Sequence, residues 1–140
     1  MAGGYRELEG VTADVGIGAW GSTLSEAILF TSEGLFSLIS DLNTLTGSDS
    51  RTISVQAPDL DSLLINYLNE IIFLEETESF LPKTVESLVL EDLALTAVIK
   101  GDIYDSTRHS PNIEVKAATY HGLVIEKGPD GYEVEVIFDV

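Results

Sequence analysis

The strongest secondary-structure signal in this sequence is a repeat of large apolar side chains that follows Asp59. The apolar residues recur every three or four positions, as on a helix with one buried face: Leu60, Leu63, Leu64, Tyr67, Leu68, Ile71 and Leu74. Asp59 follows a proline and suits the N-cap position. The pattern therefore predicts a helix over about 59–77, whose other face, with Asn69, is expected to be wet or bound to a partner.

A second helix is predicted upstream by a capping motif. In Thr23-Leu24-Ser25-Glu26 the threonine and the glutamate have the spacing at which each satisfies a backbone N–H near the other. An apolar stripe follows as far as Ile39. The expected helix covers about 24–39, with Gly34 as its weakest position.

Most of the remaining chain has the alternating or branched apolar pattern of strands. The predicted strands cover about 5–10, 12–20, 51–57, 85–89, 93–103, 113–121 and 132–140. Gly128-Pro129-Asp130-Gly131 suits a type I turn and joins the last two as a hairpin. In the last strand Val134, Val136 and Phe138 are expected to face the core, as are Val115, Ala117 and Thr119 in the strand before it.

Together these elements predict the fold class. Two helices and a series of strands joined by short turns indicate an α+β fold, with antiparallel strands covered by the two helices. A chain of 140 residues with 44 % apolar and 22 % charged residues is large and apolar enough for one compact domain, residues 1–140.

Composition also excludes several classes of protein. The longest apolar stretches are too short to span a bilayer, and the first residues lack the features of a signal peptide, so we expect a cytoplasmic protein without membrane contact. The absence of cysteine excludes disulfides, thiol nucleophiles and cysteine-ligated metals. The net charge of −17 would repel phosphate backbones, so direct DNA or RNA binding is not expected. It would suit a basic protein partner or a divalent cation.

Two carboxylates form the best candidate site. Asp14 and Asp139 each lie off the apolar face of a predicted strand, and Asp139 is followed only by Val140, which carries the terminal carboxylate. Hard oxygen ligands of this kind suit calcium, magnesium or manganese. Asp14 would complete the site if the first strands approach the last one. The spacing alone also fits two ordinary solvated acids, which is the commoner case.

Lys116 supplies a cation on the expected off-core face of strand 113–121. A regular hairpin around residues 128–131 pairs Lys127 with Tyr132 and places Asp139 opposite Tyr120. Lys116 would then lie roughly 13 Å from Asp139 along the strand. A bulge, a bend or a role in gripping a partner is therefore needed to connect it with the carboxylates. Arg108-His109, in a polar loop, is a further candidate for partner contact.

Several segments resemble one known family. They are Val11–Ile17, Asp59–Leu64 with Tyr67–Glu70, Gly101-Asp102, Arg108-His109, Glu114–His121 and the terminal Asp139-Val140, in this order along the chain. Together they resemble archease, a family of small accessory proteins of the RtcB-type tRNA-splicing RNA ligase. Two departures are Val11, where many members have His, and Asp102, where Glu is usual.

The resemblance implies a function and its residues. It implies that the chain is not an enzyme but an activator that promotes the GTP-dependent guanylylation and multiple turnover of the ligase, and that meets RNA only through it. It also implies that Asp14, Asp139 and the Val140 carboxylate bind a divalent metal, with calcium expected and manganese or magnesium as alternatives. Lys116 is the critical cation by the same resemblance.

Two functions of other classes stay open from the residues themselves. One is a free-standing divalent-metal-dependent hydrolase that uses Asp14 and Asp139, although two-metal hydrolysis usually needs more convergent acids or histidines. The other is a protein-binding module without a metal.

Overall fold

The computed structural model describes residues 3–9 and 14–140, which form two helices and seven strands. The elements in chain order are β1 Gly4–Leu8, β2 Val15–Gly21, α1 Leu24–Ile39, β3 Asp49–Gln56, α2 Leu60–Glu78, β4 Phe80–Glu91, β5 Ala94–Ile103, β6 Ala117–Gly128 and β7 Gly131–Asp139. A short 3₁₀ turn, Leu42–Thr44, follows α1. The predicted end of the first strand at Gly10 and start of the second at Thr12 lie outside the described residues.

The strands form two antiparallel sheets. One has the order β1-β2-β7-β6 and the other the order β3-β5-β4. The helix α1 contacts β2 and β4, and α2 contacts β6 and β3, so each helix touches both sheets. Residues from all of these elements share one apolar core. The predicted α+β class, with antiparallel strands and two helices, is confirmed. No helix in the described ranges is both long and apolar enough to cross a bilayer.

Both helices begin at the predicted caps. Thr23 Oγ1 accepts a hydrogen bond from the Glu26 N–H at 3.1 Å. The Glu26 carboxylate in turn accepts the N–H of Ser22 at 3.2 Å, one residue earlier than a standard capping box. Asp59 Oδ1 accepts from the Ser62 N–H at 2.8 Å. The two helices therefore lie within a residue of their predicted bounds.

Gly34 has a packing reason to interrupt α1. A Cβ atom at this position would lie 2.5 Å from Ile17 Cγ2 and 3.2 Å from Tyr5 Cδ2. The glycine therefore lets α1 approach β1 and β2 more closely than any side chain would allow, which offsets its low helix propensity.

The β6–β7 hairpin contains a bulge that the sequence analysis left open. Near the turn the register is the predicted one, with Lys127 opposite Tyr132. Further along, Thr119 pairs with Ile137 and Ala117 with Asp139, so residues 120–123 lie opposite Val136 alone. Three extra residues therefore sit in β6, and Gly122 adopts a positive φ of 65° within them.

The bulge corrects the prediction for strand 113–121. An odd number of extra residues reverses which side chains face the core, because side chains alternate along a strand. Ala118 is buried at 5 % exposure, whereas Ala117 and Thr119, which were predicted to face inward, are only partly buried. The strand also begins at Ala117 rather than at residue 113. Val115 is buried as predicted, although it precedes the strand.

Candidate functional site

The pairing of β2 with β7 brings the two candidate carboxylates together. Val15 of β2 lies opposite Phe138 of β7. Asp14 precedes Val15 and Asp139 follows Phe138, so both acids lie at the same end of this antiparallel ladder. Neighbouring strands lie about 4.8 Å apart. Because Phe138 is fully buried, alternation turns Asp139 to the outer face, where it is exposed. Asp14 is partly exposed. The structure therefore places two acids side by side at one end of the four-stranded sheet.

The bulge in β6 brings Lys116 to the same end of the sheet. The backbone N–H of Lys116 donates to the Asp139 carbonyl oxygen at 2.8 Å, next to the Ala117–Asp139 pair. A regular hairpin would instead have put Tyr120 opposite Asp139. The predicted separation of roughly 13 Å between Lys116 and Asp139, which assumed a regular hairpin, is therefore wrong. A bulge, one of the three alternatives considered above, brings the two residues together.

The chain terminus lies beside these residues. Val140 follows the end of β7 and is 38 % exposed. The Val140 carboxylate is therefore next to Asp139 in sequence. In the register of the ladder, the backbone of Val140 lies next to Lys116. We call Asp14, Lys116, Asp139 and Val140 the terminal cluster.

The terminal cluster does not by itself supply a complete set of metal ligands. The side chains supply two carboxylates, and the described parts of the chain contain no group of three or more His, Asp or Glu residues arranged for a metal. The terminal carboxylate is a third oxygen donor. Calcium takes six to eight oxygen ligands, so a bound cation would need several from water or from a partner. The set fits a hard divalent cation that is held from one side.

Lys116 is the positive group of the terminal cluster. Its side chain is exposed. The ion pairs within residues 3–9 and 14–140 are Arg51–Glu78, Arg108–Asp105 and His109–Asp102. Lys116 is in none of these pairs, so its ammonium group is available to an anionic group outside this chain.

Asn69 of α2 holds the strand that follows Lys116. Its Oδ1 accepts from the Ala118 N–H at 2.7 Å, and its Nδ2 donates to the Ala118 carbonyl oxygen at 3.3 Å. The amide side chain thus pairs with Ala118 as a neighbouring strand would. Asn69 was expected to face water or a partner, and that prediction is wrong. The sequence holds little sign of its role beyond an amide at the edge of the apolar stripe.

His109 lies in the interior rather than on a contact surface. Its Nδ1 accepts from the Asp105 N–H at 2.8 Å, so the proton is on Nε2, which lies 2.8 Å from Asp102 Oδ2. The side chain of His109 has no exposed area. The prediction that this side chain contributes to a partner contact is therefore wrong. Arg108 is exposed and lies 3.2 Å from Asp105.

Asp102 is a buried carboxylate that the sequence analysis did not identify as structural. It accepts from the N–H groups of Thr46, Gly47 and Ser48 at 2.9, 2.7 and 3.2 Å. Burial by itself raises the pKa of Asp102, but the hydrogen bonds from Thr46, His109 and Gly47 outweigh it and hold the pKa well below its usual range. The Asp102–His109 pair therefore fastens the loop around residue 47 to the loop before Val115.

Comparison with known proteins identifies the family. Residues 5–140 match the Archease protein family (MTH1598/TM1083). The chain belongs to the archease family. A protein archease of Methanosarcina acetivorans is 34 % identical over 140 residues, which cover 97 % of this chain and 95 % of that protein. A protein archease of Thermococcus gammatolerans is 36 % identical over 123 residues, covering 86 % and 87 % of the two chains. The family inferred from the sequence motifs is confirmed.

Solved archease-like structures share the fold. The solution structure of protein 1598 of Methanobacterium thermoautotrophicum has a TM-score of 0.82 and 27 % identity, and covers 98 % of this chain and 99 % of its own. The crystal structure of an archease from Thermotoga maritima, described as a possible chaperone, has a TM-score of 0.68 at 20 % identity, covering 96 % and 97 % of the two chains. At that identity the second comparison supports the fold alone.

The archease motifs collect at two places in this structure. Asp14, segment 114–121 and Asp139-Val140 meet in and around the terminal cluster. Asp102 and His109, from two other motifs, form the buried pair. The first group is exposed and charged, and the second is internal. The terminal cluster is therefore the candidate functional site, and the buried pair has a supporting role.

Proposed function

We propose that this chain is an accessory factor of an RtcB-type tRNA-splicing RNA ligase, and that it promotes guanylylation of the ligase by GTP and its multiple turnover. Membership of the archease family supports an accessory role. The observation that carries the proposal is the pairing of Ala117 with Asp139, which gathers Lys116 and the carboxylates at one exposed end of the sheet.

In this proposal the terminal cluster binds a divalent cation. Asp14, Asp139 and the Val140 carboxylate would hold it, with calcium expected and manganese or magnesium as alternatives. When bound, the cation neutralises the neighbouring carboxylates and supplies a concentrated positive charge. The coordination positions that the chain leaves open allow ligands from the ligase to complete the site.

Lys116 would meet an anionic group of the ligase complex, such as a nucleotide phosphate or a partner carboxylate. It is one of only seven basic residues in a chain with a net charge of −17. The same negative charge disfavours direct contact with RNA, whose backbone it repels. RNA is therefore reached through the ligase.

The first experiment tests the carboxylates in a guanylylation assay. The ligase is incubated with GTP, a divalent metal and a substoichiometric amount of the chain, and the ligase–GMP adduct and ligated RNA are measured. We expect Asp139→Asn to reduce the stimulation at least tenfold, because the substitution removes charge but keeps shape. Asp130→Asn, an exposed aspartate at the opposite end of the hairpin, is the matched control and should stimulate as the wild type does. Full stimulation by Asp139→Asn would overturn the proposed role of this carboxylate.

Calorimetry separates the proposal from the other functions. Titration with CaCl2 or MnCl2 should show binding that Asp139→Asn abolishes and Asp130→Asn preserves. Stimulation of the ligase without any metal binding by the chain would indicate a metal-free protein-binding module. Hydrolysis of phosphoesters by the chain alone, lost in Asp14→Ala, would instead indicate a hydrolase.

A further inference from the structure

The hairpin turn does not determine where Lys116 lies. The turn sets the pairing of residues 124–128 with β7, but residues 120–123 interrupt the ladder before it resumes at Thr119. The register of 117–119 is therefore set locally. Residues 117–119 also lie at the end of an edge strand, because β6 pairs with β7 on one side only.

Few hydrogen bonds outside the β6–β7 ladder hold this resumed segment. In the ladder, the Lys116 N–H donates to Asp139 O at 2.8 Å. Within the described residues, two side chains make hydrogen bonds that involve 117–119. Thr119 Oγ1 donates to Ile137 O at 2.9 Å, and Asn69 bonds to the backbone of Ala118. Thr119 belongs to the segment itself. Asn69 is the group that anchors it to α2, 49 residues away in sequence.

We propose that Asn69 is a positioning residue for the terminal cluster: its paired hydrogen bonds to Ala118 hold the strand that places Lys116 beside Asp139 and the chain terminus. Ala118 is 5 % exposed, so without Asn69 its N–H and C=O would be buried without partners. Water that takes the place of the Asn69 amide would not tie the strand to α2. The proposal builds on the proposed function of Lys116 and adds the residue that supports it.

Loss of Asn69 is expected to detach the segment rather than shift it by three residues. The unbulged register would bring His121 opposite Phe138 and so direct the imidazole into the core, which is unfavourable. Detachment of 116–119 leaves the turn-proximal half of the hairpin intact. Lys116 would then sample many positions, and its backbone would seldom lie beside Asp139.

The structural test is NMR on the labelled full chain. In Asn69→Ala we expect the cross-strand contact between Ala117 and Asp139 to disappear and the Ala118 amide to exchange with solvent at least tenfold faster. Asn69→Asp keeps the acceptor for the Ala118 N–H and loses the donor to its carbonyl, so it should be intermediate. Asn66→Ala, an exposed asparagine one turn earlier in α2, is the matched control and should leave both signals unchanged.

The functional test uses the same variants in the guanylylation assay with metal in excess. Asn69→Ala should reduce stimulation at least fivefold, and it should cause no additional loss in a Lys116→Ala background, because it acts through Lys116. Additive losses, or loss of stimulation with the Ala117–Asp139 contact intact, would overturn the proposal in favour of direct partner contact by Asn69. If the wild type fails to stimulate the ligase, the proposed function fails while the NMR arm still decides whether Asn69 holds the strand.

Discussion

Lys116 is an exposed residue whose side chain fills no cavity. Substitution of Lys116 by Ala should change the free energy of unfolding by less than about 0.5 kcal/mol, as is usual for surface positions. Stimulation of the ligase should fall at least tenfold, because the ammonium group is lost from the terminal cluster. Lys116→Arg should restore only part of it, since a planar guanidinium differs from a compact ammonium in shape and hydration.

Thermal melting and guanylylation, measured on the same preparations, test this prediction. Lys127→Ala is the control, because it removes an equally exposed lysine from the other end of β6. A large drop in melting temperature together with wild-type stimulation would show that Lys116 is a structural residue.

Asp102 is a buried residue whose substitution should harm the fold directly. In Asp102→Asn, an amide N–H would replace one of the two oxygens that accept from the Thr46 loop and His109. Leaving a buried donor without its acceptor costs about 1–3 kcal/mol. We therefore expect the free energy of unfolding at pH 7, measured by urea denaturation, to fall by about that amount. The free energy of unfolding of the Asp130→Asn variant should fall by much less.

The pH dependence of this loss has a definite sign. Because the pKa of Asp102 is lower in the folded chain than its ordinary value of 3.8, its contribution is complete above that value and is lost as the pH falls below it. The difference between wild type and Asp102→Asn should therefore stay constant from pH 7 to about pH 4 and shrink between about pH 4 and pH 3. A difference that stays constant over this range would show that shape rather than ionisation matters.

At the scale of elements, the bulge in β6 is an insertion that can be removed without shifting the ladder. Deletion of residues 120–122 leaves Leu123 opposite Val136, and the alternation from Ala118 to Ile125 then becomes continuous. Leu123 already packs against the core, so it suits an inward position. We expect this variant to fold with Ala117 still paired with Asp139.

Cross-strand NMR contacts between Ala117 and Asp139 check this expectation. Deletion of Gly122 alone is the contrasting variant, because it leaves two extra residues, and an even number keeps the inward and outward faces in phase. Pairing of Thr119 with Asp139 in the variant that lacks only Gly122 would show that the turn, and not the local contacts, determines the register.

At the scale of the whole molecule, the excess of acids should shape the stability profile. Burial raises the pKa of Glu33, and burial together with Glu76 and Glu114 raises that of Glu75. An acid with a raised pKa in the folded state binds its proton more tightly there, so stability increases as the pH falls towards its ordinary value of 4.5. Protonation also reduces the repulsion within a chain of net charge −17.

We therefore expect the melting temperature to rise from pH 7 to about pH 5 and to fall again below about pH 4, where Asp102 loses its contribution. Calorimetric scans across this range test the profile. Added salt at pH 7 should raise the melting temperature by screening the repulsion, and should reduce the further gain at pH 5. A steady fall from pH 7 to pH 5 would contradict the expectation.

Much of the fold was predictable because it depends on local patterns. Capping residues and apolar periodicity predicted α1 and α2 within a residue, and the alternation of Val134, Val136 and Phe138 predicted the buried face of β7. The motifs predicted the archease family. Asp14 and Asp139 were singled out as acids off an apolar face, and the structure places them on neighbouring strands.

The bulge could not be predicted from its own residues. The segment 120–123 has one aromatic, one histidine, one glycine and one leucine, which suit an extended strand in either register. The partners that decide between the registers lie elsewhere, above all Asn69. The buried Asp102 was missed for the same reason, since the loop around Gly47 that donates to it is more than fifty residues away.

The sequence by itself determined the helices, the strand-forming segments, the inward face of β7 and the family, because these follow from spacing and residue type within short windows. Only the tertiary structure decided that Lys116 lies beside Asp139, that Asn69 binds a strand and that His109 is internal. Each of these depends on hydrogen bonds between residues brought together by packing. Burial makes such bonds decisive, because a polar group removed from water must find its partner within the fold.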